Sequence, residues 1–245
     1  MNFSSLQRIL TTAIISGVFA GILISLIQFV TTIPLITEAE IYESQPVASA
    51  PATDAHTEGH SHAAAAPAAH SHGDEDSWGP EDGLERMTYT VISNVIAGVG
   101  FALLLGAAMT MRGRDVDVKS GALWGVSGFL VFSLLPAAGL PPEVPGTVGA
   151  PVELRQMWWF LTVACSGVGL AMIVFKSSWI WRGAGVVLLL IPHVIGAPHP
   201  EVASGTAPAS LAAQFAMMTM ITSAIFWVMI GSVSGFVLEK LRALS

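Results

Sequence analysis

Six long apolar runs separated by short polar stretches set the pattern of the chain. They cover Ile9–Ile36, Thr88–Met111, Ser120–Leu140, Met157–Phe175, Ile180–Ala197 and Leu211–Leu238, and none holds an internal Asp, Glu or Lys. A helix crosses the ~30 Å hydrocarbon core with about 20 residues. Lipid cannot satisfy an open strand edge, so each run predicts a transmembrane helix. The fifth run is the weakest, because Arg182 and Pro192 shorten its apolar core. The first is too long for the apolar part of a signal peptide and ends without a small-residue cleavage site, so it reads as an uncleaved anchor. The expected fold class is all-α: a polytopic membrane helical bundle of about six transmembrane helices, or five if the fifth run does not cross.

Composition narrows the function. Only 11% of the 245 residues are charged, against about 25% in soluble proteins. That is too few to cover a soluble globule, which argues against a soluble enzyme. Ten Lys and Arg residues leave no basic footprint for nucleic acid. The single cysteine, Cys165, lies inside an apolar run and forms no intrachain disulfide. Charge also predicts orientation. With the N-terminus inside, Arg8, Arg112, Arg114, Lys119, Lys176, Arg182, Lys240 and Arg242 fall inside, and only Arg86 and Arg155 fall outside. The positive-inside rule then places both termini in the cytoplasm of a bacterial inner membrane. Every histidine falls outside or at the outer end of a helix.

The chain reads as one membrane domain, residues 1–245. Within it, residues 44–79 form a His-, Ala- and acid-rich outer loop without apolar periodicity, expected to be disordered. Two outer tips echo each other. Pro136, Gly139, Pro141 and Glu143 precede Ala150-Pro151, as Pro192, Gly196, Pro198 and Glu201 precede Ala207-Pro208. Pro34 with Glu38, Glu40 and Glu43 is a fainter copy. The echo predicts three helical hairpins related as parallel repeats. Gly17/Gly21, Gly121/Gly125 and Gly231/Gly235 form GxxxG pairs, a packing signal and not a functional one.

The candidate chemistry is metal binding. The outer loop carries His56, His60, His62, His70 and His72, and imidazole suits divalent Zn, Cu, Ni and Co. A floppy loop imposes no geometry, so its expected role is to collect metal outside the bundle. Glu38, Glu40 and Glu43 end the first run at the outer surface, where they can attract a cation. His193 follows a proline inside a helix. A histidine beside a broken helix at membrane depth is a functional candidate. His199 and Glu201 lie in the turn beyond it. Glu143 sits on the matching tip with Glu153 and Arg155, where Glu153 pairing with Arg155 is the simple alternative. The metal set is therefore His193, His199, Glu38, Glu40, Glu43, Glu143 and Glu201. Metal binding needs neutral imidazole, so uptake is expected to fall as pH drops through about 6.5. Met157, Met172, Met217, Met218, Met220 and Met229 read as packing. Trp158, Trp159, Trp179 and Trp181 read as interfacial anchors. No Walker-type loop, HExxH or GxSxG occurs, so the chain is not read as an enzyme.

These motifs resemble the CbtA family, predicted cobalt transporter subunits of bacteria. The resemblance rests on Glu38-Ala39-Glu40-Ile41-Tyr42-Glu43, Leu140-Pro141-Pro142-Glu143, Arg155-Gln156 before Trp158-Trp159, Pro192-His193 with Gly196-Ala197-Pro198, and Ala207-Pro208. It spans nearly the whole chain except the histidine loop. It implies uptake of a divalent transition metal, Co2+ before Ni2+ or Zn2+, with the ion as cargo and no fixed cofactor. It also implies five spans and a small one-helix partner, CbtB, with a histidine-rich end. The other expected partners are membrane lipid and a second copy of the chain. The alternatives are a metal-binding assembly or sensor subunit that does not conduct, and a membrane redox subunit.

Overall fold

The computed structural model describes residues 3–44, 80–202 and 204–244, and among them every extended regular element is a helix. Helix α1 is Phe3–Val30, α2 Thr32–Ser44, α3 Leu84–Arg112 and α4 Val118–Phe129. A π-helical turn, Leu130–Leu134, carries α4 into the short α5, Leu135–Ala137. Helices α6 (Val152–Phe175), α7 (Trp179–Ile195) and α8 (Ala209–Ala243) complete the bundle. Five of the helices are long and apolar enough to cross a membrane: α1, α3, α4 with its continuation to Ala137, α6 and α8. The fifth apolar run forms the 17-residue α7, about 26 Å long at 1.5 Å per residue and so just short of the hydrocarbon core.

The first run is not one helix. Its last segment breaks away at Thr31 as α2, so Glu38, Glu40 and Glu43 sit on a separate helix at the end of the bundle. The cause is Pro34. It has no N–H for the carbonyl of Val30, and its ring crowds that carbonyl. In α2 it falls in the first turn, where the missing donor costs nothing. Ser44 closes α2, and the rest of the expected disordered loop lies outside the described residues, with His56, His60, His62, His70 and His72.

Glycine seams bring the helices together, as expected where lipid is as apolar as any packing partner. A Cβ on Gly17 of α1 would stand 2.3 Å from the backbone nitrogen of Val99 in α3. Gly121 and Gly125 of α4 face Gly231 and the backbone at Trp227 of α8 equally closely. Beside this seam Phe132 stacks on Trp227, centroids 5.4 Å apart. The indole of Trp227, which is 2% exposed, donates to Ser133 Oγ on the π turn at 3.1 Å, as does the Ser223 hydroxyl at 2.8 Å. Asp117 starts α4 with a capping box: its carboxylate accepts from Ser120 N at 2.8 Å, and Ser120 Oγ accepts from Asp117 N at 2.9 Å. The Ser120 hydroxyl bond holds the Asp117 carboxyl below the ordinary aspartate range.

The pairing of helices departs from the repeat expected from the echo. α1 packs on α3, but α4 packs chiefly on α8 and α6 on α7. The third run therefore meets the sixth, and the fourth meets the fifth. α7 lies along α6 at three levels. Arg182 Nε donates to the Lys176 carbonyl at 3.0 Å, Gly185 meets Gly169 midway, and the Trp158 indole donates to the Pro192 carbonyl at 3.1 Å. Trp158 is 5% exposed and pins two helices, which corrects its reading as an interfacial anchor. Trp179 and Trp181 are exposed at the start of α7, as anchors should be.

The contacts define two ends. At one, Arg8, Arg114 and Arg242 line a single small cavity, Arg242 pairs with Asp115, and Arg112 stands 4.5 Å over the Phe175 ring. At the other, α2, the start of α3 and the two echoing tips meet. The basic residues assigned to one side of the membrane from sequence are thus gathered at one end of the bundle.

Candidate metal-handling rim

The non-basic end is where the candidate donors lie. Helix α2 caps it: Ala39 packs with Val144 and Leu211, and Leu35 and Tyr42 pack against this group. The two tips join through an antiparallel bridge between Thr147 and Gly205, with Val148 N donating to Ser204 O at 2.9 Å. Gly146 permits this with φ of 76°, a left-handed conformation that costs glycine little. A Cβ there would stand 2.2 Å from Thr206 Oγ1 and 3.5 Å from Glu43 Cβ, so Glu43 borders the joined tips.

Two of the seven candidates are engaged by arginines. Arg86 at the start of α3 donates through Nη1 to Glu40 Oε2 at 3.0 Å and through Nη2 to Glu40 Oε1, a bidentate pair. The same guanidinium reaches Asp82 at 2.9 Å. Arg155 pairs with Glu143 at 3.0 Å, not with Glu153. Glu38, Glu43, His199 and Glu201 are exposed. Among the described residues no three His, Cys, Asp or Glu side chains come close enough to hold one metal ion. The rim therefore gathers donors around one face without closing them into a coordination site.

His193 stands apart. Pro192 is buried inside α7, and its carbonyl accepts both from Gly196 N at 3.0 Å and from the Trp158 indole. The His193 ring meets Trp158 edge to face at 5.8 Å. Its Nε2 is buried and has no hydrogen-bond partner. Burying an imidazole nitrogen unpaired costs free energy that a ligand can recover.

Sequence reasoning passed over a polar group deeper in the bundle. Asn94 of α3 donates to Gln28 Oε1 at 2.7 Å and to Ser25 Oγ at 3.0 Å across to α1. Thr12, Ser16 and Ser234 bury hydroxyl oxygens without partners. A signal existed: Thr12 and Ser16 are four apart, and Asn94 puts an amide inside a membrane run, where a strongly polar side chain is a functional candidate.

Neither the curated proteins nor the solved structures contain a match to this chain. A family model described as probable cobalt transporter subunit matches residues 6–239, from the first turns of α1 to the last turns of α8. That description is of a transporter subunit and not of an enzyme, it agrees with a chain of several apolar helices, and it covers the rim and both glycine seams. The chain therefore belongs to the CbtA family of probable cobalt transporter subunits.

Proposed function

We propose that this chain is the membrane subunit through which a divalent transition metal, Co2+ before Ni2+ or Zn2+, passes from the outer face of a bacterial inner membrane to the cytoplasm. The observation that carries the reading is the buried, unpartnered His193 Nε2 at the donor-bearing end. The basic end is a poor place to receive a cation. The other end offers imidazole and carboxylate ligands, and the start of α1 and the end of α8 lie opposite it. Glu38, Glu43, Glu201 and His199 attract the hydrated ion. Glu40 and Glu143 exchange their arginine partners for it, and His193 replaces part of its water. His56, His60, His62, His70 and His72 raise the local metal concentration. The word subunit in the family's description implies a partner. A one-helix CbtB-like protein with a histidine-rich end would complete the coordination that this chain leaves open.

The test is uptake of radioactive Co2+ by cells carrying the chain or its His193→Ala variant. A loss of tenfold or more at limiting metal, with unchanged protein level, is expected; equal rates would refute the assignment. A second reading is favoured by the missing three-donor cluster among the described residues: a metal-binding assembly subunit that does not conduct. Proteoliposomes of the purified chain, with and without a one-helix partner, separate the two, since only the first reading gives Co2+ flux in either.

A further inference from the structure

The basic end carries two cavities that join. The smaller, ≈ 170 Å³, is lined by Arg8, Arg114 and Arg242 against the single carboxylate of Asp115. That carboxylate is already paired with Arg242. Arg8 and Arg114 therefore face the cavity with no carboxylate to neutralise them among the described residues. The larger, ≈ 840 Å³, is an apolar groove between α3, α4 and α6, floored by Trp227 of α8. The two share Arg114, Asp115 and Val116 in their walls, so the groove opens directly onto the arginines. Arg112 stands at the same mouth, over the Phe175 ring.

The groove has the dimensions of a lipid leaflet. Along α6 it runs from Val163 to Phe175, a rise of about 18 Å, and half of the hydrocarbon core is about 15 Å. Leu104, Leu123, Val163, Gly167 and Ala171 make its walls mainly apolar, and the Ser127 hydroxyl and Trp227 indole in its lining are spent on Leu123 O and Ser133 Oγ. α6 leans on α7 and only lightly on the rest of the bundle, which leaves the groove open. A molecule that fills both cavities has one end anionic and compact, and the other apolar and about one leaflet long.

We propose that this composite cavity binds one anionic phospholipid, its phosphate between Arg8 and Arg114 and an acyl chain in the groove beside Gly167. Basic recesses at the ends of transmembrane helices recognise such headgroups, each arginine contributing about fivefold in affinity. A zwitterionic lipid fills the groove equally well but brings its own cation to the arginines. The preference therefore belongs to the headgroup site, and the general affinity belongs to the groove.

The test is native mass spectrometry of the delipidated full chain, titrated with phosphatidylglycerol or phosphatidylcholine of matched chains. The wild type is expected to hold one phosphatidylglycerol about 25-fold more tightly than phosphatidylcholine. Arg8→Gln with Arg114→Gln is expected to bring the two lipids level, and Arg114→Gln alone, at an exposed position, to remove about fivefold. A Cβ at Gly167 would meet Val131 at an ordinary 3.8 Å, and Gly167 lines the groove; Gly167→Phe, checked for an unchanged melting temperature, is expected to obstruct the groove, weaken both lipids and keep the preference. Equal binding of the two lipids by the wild type would overturn the proposal. So would a preference that survives both arginine changes, unchanged binding in Gly167→Phe, or a small membrane subunit that occupies the groove in place of lipid.

Discussion

Gly231→Ala should separate α4 from α8, its chief partner in the bundle. The added methyl would stand 2.2 Å from the carbonyl oxygen of Gly121 and 2.6 Å from the nitrogen of Gly125. Ordinary contact begins at 3.4 Å, so the opposing backbone must retreat by about 1.2 Å, beyond the 0.5–1 Å gap that already forfeits a quarter to a half of each dispersion contact. Both opposing atoms are backbone, and no side chain can swing away. The cost therefore falls at the top of the ~1–3 kcal/mol range for overpacking, about 3 kcal/mol, or about 6–12 °C in Tm for a domain of this size. Gly100→Ala supplies the opposite sign. A Cβ there meets nothing within 4 Å, and relief of helical glycine is worth about 0.5–1 kcal/mol. Thermal unfolding in detergent, followed by tryptophan fluorescence, compares the two. Equal shifts, or a Gly231→Ala protein that melts within a degree of the parent, would refute the seam as the bond between these helices.

Three further outcomes follow from named contacts. Ser133→Ala removes the acceptor of the buried Trp227 indole and should cost about 1–3 kcal/mol; in a Trp227→Phe background the same change should cost far less, which a double-mutant thermal cycle measures. Arg86→Gln frees Glu40 from a pair that is one-third exposed, so stability should move by under ~1 kcal/mol while Co2+ affinity of the purified chain, measured calorimetrically, rises; unchanged affinity would remove Glu40 from the rim. Because the Asp117 carboxyl is held below its ordinary range, its cap is intact above that range and is lost as pH falls through the depressed value. Amide exchange at Val118–Ser120 should quicken in acid for the parent but not for Asp117→Asn, which keeps an accepting oxygen without a titrating one.

The helices were legible because a span is a matter of length and apolarity, and the glycine pairs were legible because only glycine lets backbones touch. The sorting of charge was equally plain: Arg8, Arg114 and Arg242 are 106 or more residues apart along the chain, yet all fell on one side of the count and line one cavity. The pairing of helices was not legible. In water a buried stripe stands out against a polar face, but in lipid the exposed face is as apolar as the packed one. Nothing in the runs distinguished α4 meeting α8 from α4 meeting α6. The break at Thr31 was within reach, since Pro34 removes a donor inside a long run. The arginine partners of Glu40 and Glu143 were not, because Arg86 lies 46 residues from Glu40. The echo of the tips gave no sign that they meet each other, since the bridge between Thr147 and Gly205 is made by backbone.

The two proposals meet in one physical consequence. A cation that leaves by the basic end must pass uncompensated arginines. A divalent ion ~10 Å from one of them in water is repelled by about 0.8 kcal/mol, or about fourfold in rate. An anionic headgroup between Arg8 and Arg114 would cancel that repulsion, so the lipid site would act on exit of the ion without touching it. Co2+ flux should therefore be several-fold faster in proteoliposomes containing phosphatidylglycerol than in phosphatidylcholine alone, and Arg114→Gln should recover part of the deficit in phosphatidylcholine. At 1 M salt, where the Debye length falls to ~3 Å, the two membranes should support the same rate. A lipid dependence that persists at high salt, or that ignores Arg114, would mean that the headgroup acts by some route other than charge.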